Sequence, residues 1–377
     1  MNYVIRDCPS GKIVACINSI PSTWAYDGVP LQNLELGFVG TAETYRNRGF
    51  INILYTHFDR LLKDGNYDIS VIQGIPFFYR KYGYDFILPL AQSITLPVKN
   101  IPAIQTEDAS SFSGITIRPA EEGDLKIMMT LLQEENDKLL ITSVRDEELW
   151  KVQERLKMID SLPFETMVLE RNGVIDGYFR IGKKKGEPAE FHSSTVVIAE
   201  ASFRSYDATM RALYYFRDEA IKNNEHTIEI PGTISSSLGI LARDYGGTFP
   251  SGWKYQVRIP DITKFLNKIR HVLSVRLNGT MFEDITQELF INTYRTCYRL
   301  SFQNGKLLPI EEIGMQKTDR YMEIRLPPQG FVRLILGEFT VSELKEQNID
   351  FIVRRGYQAL LETLFPKRES YIYHYFC

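Results

Sequence analysis

Arg46-Asn47-Arg48-Gly49 stands at the junction of an alternating apolar run and a helical one, and residues of these types at such a junction can bind anions. The first N–H groups of a helix have no intrahelical acceptor and carry the positive end of its dipole. Gly49 lets a ligand approach the backbone, and Arg46 and Arg48 add positive charge. Asn47, Phe50, Ile51 and Asn52 would supply helix-start N–H groups, while Val39, Gly40 and Thr41 end the strand that leads into the turn. A pyrophosphate suits this arrangement. Taken by itself, the turn reads first as a solvated, charged helix start, since one or two basic residues at such a place are common, and the segments downstream turn the reading toward an anion site.

The elements that must position these residues lie on either side. Leu34, Leu36 and Phe38 alternate with their neighbours and predict a strand; Phe50, Leu54, Phe58 and Leu61 recur at helical spacing and predict a helix from near Arg48. A short strand over Tyr67–Gln73 follows, then Gly74-Ile75-Pro76, then a short aromatic helix ended by Gly83, then another strand. Upstream, Tyr3–Ile5 and Lys12–Ile17 flank Pro9-Ser10-Gly11 as a hairpin. Pro97–Gly114 loses periodicity, gathers Pro, Asn, Thr, Asp and Ser, and reads as a linker. Ile115–Leu125 then reads as strand, turn and helix start, Ile262–Leu277 as a helix, and Asn304-Gly305 as a hairpin turn.

In this order and spacing, Arg46–Ile51 resembles the R-x-x-G-x-G/A pyrophosphate loop of the GNAT superfamily of acyl-CoA N-acyltransferases, with Ile51 where a small residue is usual. Phe78-Tyr79-Arg80-Lys81-Tyr82-Gly83-Tyr84 resembles the F-Y-x-x-x-G-[FY] segment of the same superfamily. The chain as a whole is similar to the Eis-like (enhanced intracellular survival) group. That resemblance implies a mixed α/β (α+β) fold of two tandem GNAT-like modules and a sterol-carrier-protein-like α+β domain. It divides the chain into a catalytic module over 1–100, a degenerate module over 115–260 and the sterol-carrier-like region over 261–377, where Arg325–Phe331 and Leu334–Gly337 carry the likeness. A GNAT module normally has a strand and a helix pair before the hairpin, so the resemblance also implies a first module short of its first element. In the second module, Ala201–Met210 holds one arginine and no glycine, and Asp207 would repel phosphate, so coenzyme A is not expected there.

Composition bounds the function without that likeness. A chain of 377 residues, 44% hydrophobic and 24% charged, is of a size for two or three globular domains. A net charge of -3 leaves no surplus of positive charge for a general nucleic-acid or membrane-surface binder. Cys8, Cys16, Cys297 and Cys377 have neither zinc-ligand spacing nor disulfide density, which predicts reduced thiols and a cytoplasmic protein, and the five histidines predict no metal site.

The resemblance implies acetyl-CoA as cosubstrate, an amine acceptor (an aminoglycoside, a polyamine or a protein lysine) and a homo-oligomer, with a hexamer as the family's form. It places Gly74 and Ile75 with Val39–Thr41 and Asn47–Asn52 in the cofactor site. An alkyl ammonium has a pKa near ~10.4, so a proton acceptor is needed before the amine attacks a thioester, and a phenol of pKa about 10 suits protonation of the departing thiolate. Tyr79 takes the donor role by its place in the motif, with Tyr82 and Tyr84 as packing residues. For the acceptor role, the family likeness points to the terminal carboxylate of Cys377, whereas Glu35, upstream on the strand of Val39, resembles the glutamate base of other GNAT enzymes. Tyr371–Cys377 reads alternatively as a last strand of the third domain. Two further functions stand beside direct N-acetyl transfer: a catalytically vestigial acyl-CoA or lipid carrier, and a tRNA-dependent aminoacyltransferase, which the acidic balance and intact loop disfavour.

Overall fold

The computed structural model describes residues 1–90, 92–104, 112, 114–159, 162–182, 195–249, 253–315 and 323–373. It divides into two compact units, each built from separated stretches of chain: Met1–Leu88 with Lys254–Glu369, and Pro89–Trp253 with Ser370–Cys377.

The first unit opens on the expected hairpin, β1 (Asn2–Arg6) and β2 (Ile13–Tyr26), whose turn is closed by Ser10 bonded to the Asp7 carboxylate. β2 pairs antiparallel with β3 (Val29–Thr41), α1 (Phe50–Asp64) crosses over, and β4 (Ile69–Ile72) returns parallel to β3 before β5 (Asp85–Pro89). The α1 helix starts two residues later than its periodicity suggests. Gly49 is its N-cap in a left-handed conformation, φ +80°, which no helical residue adopts. Leu54, Tyr55, Phe58 and Leu62 turn one face of α1 onto Leu34, Leu36 and Ile72, each large apolar side chain contributing roughly 1.5–3 kcal/mol by burial. Phe38 breaks the alternation that predicted it inside: it is 80% exposed with φ +46°, because the β2–β3 register shifts there, pairing Cys16 with Gly40 but Asn18 with Gly37. That is a β-bulge, and it bends β3.

The second unit comprises β6 (Ser93–Pro97), β7 (Ile115–Pro119), α2 (Leu125–Asn136), β8 (Ile141–Ser143), α3 (Glu147–Leu156), β9 (Met158–Ile159), β10 (Leu162–Arg171), β11 (Val174–Gly182), β12 (Thr195–Phe203), α4 (Tyr206–Lys222), β13 (Thr227–Pro231) and α5 (Ser237–Asp244). Its sheet runs β6-β13-β12-β11-β10-β7, with β12 and β13 parallel and joined by α4. Both units therefore repeat one plan, antiparallel strands followed by a helical crossover to a parallel strand, as the tandem mixed α/β fold requires. The start of the stretch read as a linker is packed: Val98 and Ile101 are buried in this unit's core, while 105–111 and 113 lie outside the described residues.

β14 (Lys254–Arg258) then returns to the first unit and inserts between β4 and β5, giving the order β1-β2-β3-β4-β14-β5. The remainder adds α6 (Ile262–Lys268), α7 (Arg270–Val275), β15 (Glu288–Asn292), β16 (Cys297–Gln303), β17 (Lys306–Leu307), β18 (Glu311–Glu312), β19 (Ile324–Arg325), α8 (Pro328–Ile335), α9 (Val341–Gln347), β20 (Ile352–Val353) and α10 (Gln358–Leu364). The expected helix over Ile262–Leu277 is two, broken at Ile269. Asn304 and Gly305, both at positive φ, turn β16 into β17 as their types predict. This region is fastened to the first strands by ion pairs: Asp27 with Arg276 (3.0 Å) and Arg368 (2.8 Å), and Asp68 with Lys264 (3.2 Å) and Lys268. No helix among the described residues is long and apolar enough to cross a membrane.

Candidate active site

β3 and β4 pair in parallel only over Asn33–Glu35 and Ile69–Val71. Past Glu35 the bulged β3 runs on to Thr41 with no strand on that edge among the described residues, while β4 ends at Ile72. A cleft opens at the carboxyl ends of two parallel strands, where ligands of such sheets bind. Val39, Gly40 and Thr41 lie along its β3 wall, offering backbone.

At the mouth of the cleft, none of the backbone N–H groups of residues 47–52 has an acceptor among the described residues, and no side chain caps α1. Asn47 (φ +63°) and Gly49 (φ +80°) bracket Arg48 in left-handed conformations, an arrangement that turns successive N–H groups into an anion-binding concavity. A β-carbon at Gly49 would meet nothing within 4 Å, so the space before the helix is open. Both arginines are exposed: Arg46 lies 4.0 Å from Glu43, and Arg48 bonds the Thr44 carbonyl (3.1 Å) over the Tyr45 ring. The Asn52 Oδ1 accepts from the Tyr82 hydroxyl (2.5 Å) and faces Lys81 Nζ at 3.5 Å, which leaves its backbone N–H and its Nδ2 as donors. Lys81 thus brings a third positive charge to the first turn of α1, a role its place in the aromatic segment did not announce.

The tyrosines of that segment separate by their partners. The Tyr84 hydroxyl is buried against Ser70 Oγ (2.7 Å), which donates to the Leu34 carbonyl (2.8 Å); Tyr55 accepts from Arg258 (2.7 Å), and Tyr82 donates to Asn52. Tyr79 is 5% exposed, yet its hydroxyl bonds no described residue and is not sealed from solvent. Burial pushes its phenol up to about 12, with the nearby Tyr82 adding to the effect. Its ring rests on Gly74, where a β-carbon would stand 2.4 Å from Tyr79 Cε2. Gly74 is thus the seat of Tyr79, and the carbonyls of Gly74 and Ile75 accept from Gln256 Nε2 at 2.8 and 3.3 Å. Gln256 is fully buried on β14.

Glu35 sits at the last parallel pair, 5% exposed, with Gln73 Nε2 donating to its Oε1 at 3.2 Å. Burial raises its carboxyl to about 7, outweighing the Gln73 bond. Cys377, the other candidate base, lies outside the described residues. The described end of the chain does not join the sheet β17-β16-β15-β19-β20; Tyr371 N donates to Ile141 O (3.0 Å) and Tyr373 N to Ser143 Oγ (3.0 Å) within the second unit.

The corresponding helix start in the second unit is filled by the protein. Ser205 caps α4 by accepting from Ala208 N (3.1 Å), Asp176 bonds Ser205, and Asp207 pairs with Arg171 at 2.6 Å. No group of three or more His, Cys, Asp or Glu among the described residues could hold a metal ion.

Residues 2–87 match the acetyltransferase (GNAT) domain family. Among the solved structures that share its fold, three cover 98–100% of the chain. A GCN5-related N-acetyltransferase from Anabaena variabilis is 16% identical with a TM-score of 0.72, covering 100% of this chain and 89% of that one. A conserved protein from Enterococcus faecalis, described as a probable N-acyltransferase, is 14% identical with a TM-score of 0.73 over the same shares. Eis1 from Mycobacterium abscessus is 14% identical with a TM-score of 0.62, covering 98% of this chain and 89% of that one. At such identities the likeness is one of fold. No curated protein matches the chain by sequence.

Proposed function

We propose that the GNAT module of the first unit transfers an acetyl group directly from acetyl-CoA to a primary amine, in the manner of an Eis-like N-acetyltransferase. The observation that carries this reading is the uncapped start of α1, where unpartnered N–H groups, Arg46, Arg48 and Lys81 surround open space. Residues Asn47–Asn52 hold the pyrophosphate, and Val39–Thr41 lie along the pantetheine arm. Acetyl-CoA supplies the thioester carbonyl, at which the C–N bond forms and the C–S bond breaks. Glu35 takes the ammonium proton directly or through water, its raised proton affinity suiting it to neutral pH; the Cys377 carboxylate is the alternative base. Tyr79 donates a hydrogen bond to the departing sulfur. Full transfer from a phenol at about 12 to a thiolate whose acid has a pKa near ~8.5 runs uphill, so the phenol stabilises the developing charge and solvent completes the protonation. In this reading the sterol-carrier-like region is a scaffold for the catalytic module, and the acceptor amine is cationic.

Titration calorimetry tests the reading. One acetyl-CoA site per chain is expected, because α4 of the second unit is already capped by Ser205. Gly49→Glu should abolish the heat by putting a carboxylate into the concavity. Two equivalent sites, or tight binding that survives this change, would reject it; acetyl release across an amine panel then identifies the acceptor.

A further inference from the structure

A second cavity in the first unit, about 280 Å³, lies between the aromatic turn and α8 and is lined in part by Arg80, Tyr84, Asp85, Gln329, Arg333 and Asn348. Asp85 is 6% exposed and faces both guanidiniums: Arg333 Nε donates to its Oδ2 at 2.6 Å, and Arg80 lies 3.9 Å from its Oδ1. The terminal nitrogens of Arg333 have no hydrogen-bond partner among the described residues, and the Arg80 guanidinium makes no hydrogen bond there at all. Two cations against one carboxylate leave one positive charge in excess. Lys254 shares the Phe339 ring with Arg333, at 5.8 and 5.5 Å from its centroid. The ammonium of Lys254 is paired with the Glu338 carboxylate, so it leaves the local charge balance unchanged; burial first, then repulsion from Arg333 and Lys367, holds it below its usual range.

We propose that this cavity binds a small monoanionic carboxylic acid between Arg80 and Arg333. Guanidinium forks match the planar carboxylate, each bond being charge-assisted. The single excess charge fits a monoanion better than a phosphate dianion, and the volume lies at the small end for organic ligands. Because Arg80 follows Tyr79 in one turn, occupancy fastens that turn to α8. The site is independent of the acyl-transfer reading.

Saturation-transfer NMR of the full chain with propionate tests it. A saturable signal is expected that persists with coenzyme A present and weakens about 10-fold or more in Arg80→Gln and in Arg333→Gln. Arg333→Gln leaves Asp85 buried without its closest cation and can cost folding, so Arg80→Gln, at a half-exposed side chain, carries the test alone if needed. Absence of a saturable signal, a signal unchanged in Arg80→Gln, or one removed by coenzyme A would overturn the site. Tighter binding of inorganic phosphate in competition would overturn the carboxylate assignment.

Discussion

Tyr79 and Glu35 are both buried, and burial moves their proton affinities the same way with different consequences. Tyr79, raised to about 12, keeps its proton across any practical assay, so its donor form is always present. Tyr79→Phe should lower kcat roughly 10²-fold with little change in cofactor KM, since in the proposed reaction it removes one donor used only as the C–S bond breaks; unchanged kcat with chemistry rate-limiting would return Tyr79 to packing. Glu35, raised from 4.5 to about 7, holds a proton that the unfolded chain releases near 4.5. The folded state therefore binds more protons between these values, and stability falls as pH rises through them. Glu35→Gln should leave stability near wild type at pH 4 and raise it by up to roughly 3 kcal/mol at pH 8, measured by urea unfolding. The same variant should remove the pH–rate limb near 7 and leave the amine's own limb toward ~10.4. Survival of the limb near 7 would move the base to the chain terminus.

At the scale of elements, the site is a cleft made by a bulge, a helix start and a short turn, each anchored differently. The bulge at Phe38 and the left-handed Gly49 are enforced by backbone; the Tyr79 turn is held by Gln256 reaching across from β14. Gln256→Met keeps the length and removes the donor, so kcat should fall while cofactor affinity holds. Gln256→Glu should be worse near neutrality, where a carboxylate would face two carbonyls, and should recover partly at lower pH as it protonates. A pH-independent loss equal in both variants would reduce Gln256 to a filler of space. The loop, its helix, the aromatic turn and Gly83 were legible because their signals are local: glycine where φ is positive, apolar residues at one period. Phe38 misled because alternation cannot see a register shift. Gln256 and Arg258 were invisible because five residues of strand-like sequence say nothing about which sheet they enter, and Gln256 lies 182 positions from Gly74.

For the molecule as a whole, the insertion of β14 makes the first unit dependent on chain that follows the second. Without β14, β4 and β5 lose their shared neighbour and expose two edges. The carbonyls of Gly74 and Ile75 lose Gln256, Asp59 loses Arg258, buried Asp68 loses Lys264 and Lys268, and buried Asp85 loses Arg333. Breaking a buried ion pair by removing one partner costs about 3–5 kcal/mol, against a total domain stability of roughly 5–15 kcal/mol. The internal pairs that remain, β1 through β4 with α1, are not enough to offset losing two such pairs and an interior strand. A fragment of residues 1–100 should therefore show no cooperative thermal unfolding by circular dichroism and no dispersed amide spectrum, although it contains the entire loop, Glu35 and Tyr79. The full chain should unfold cooperatively under the same conditions. A cooperative transition in the fragment, with acetyl-CoA binding retained, would show that β14 decorates the module instead of completing it.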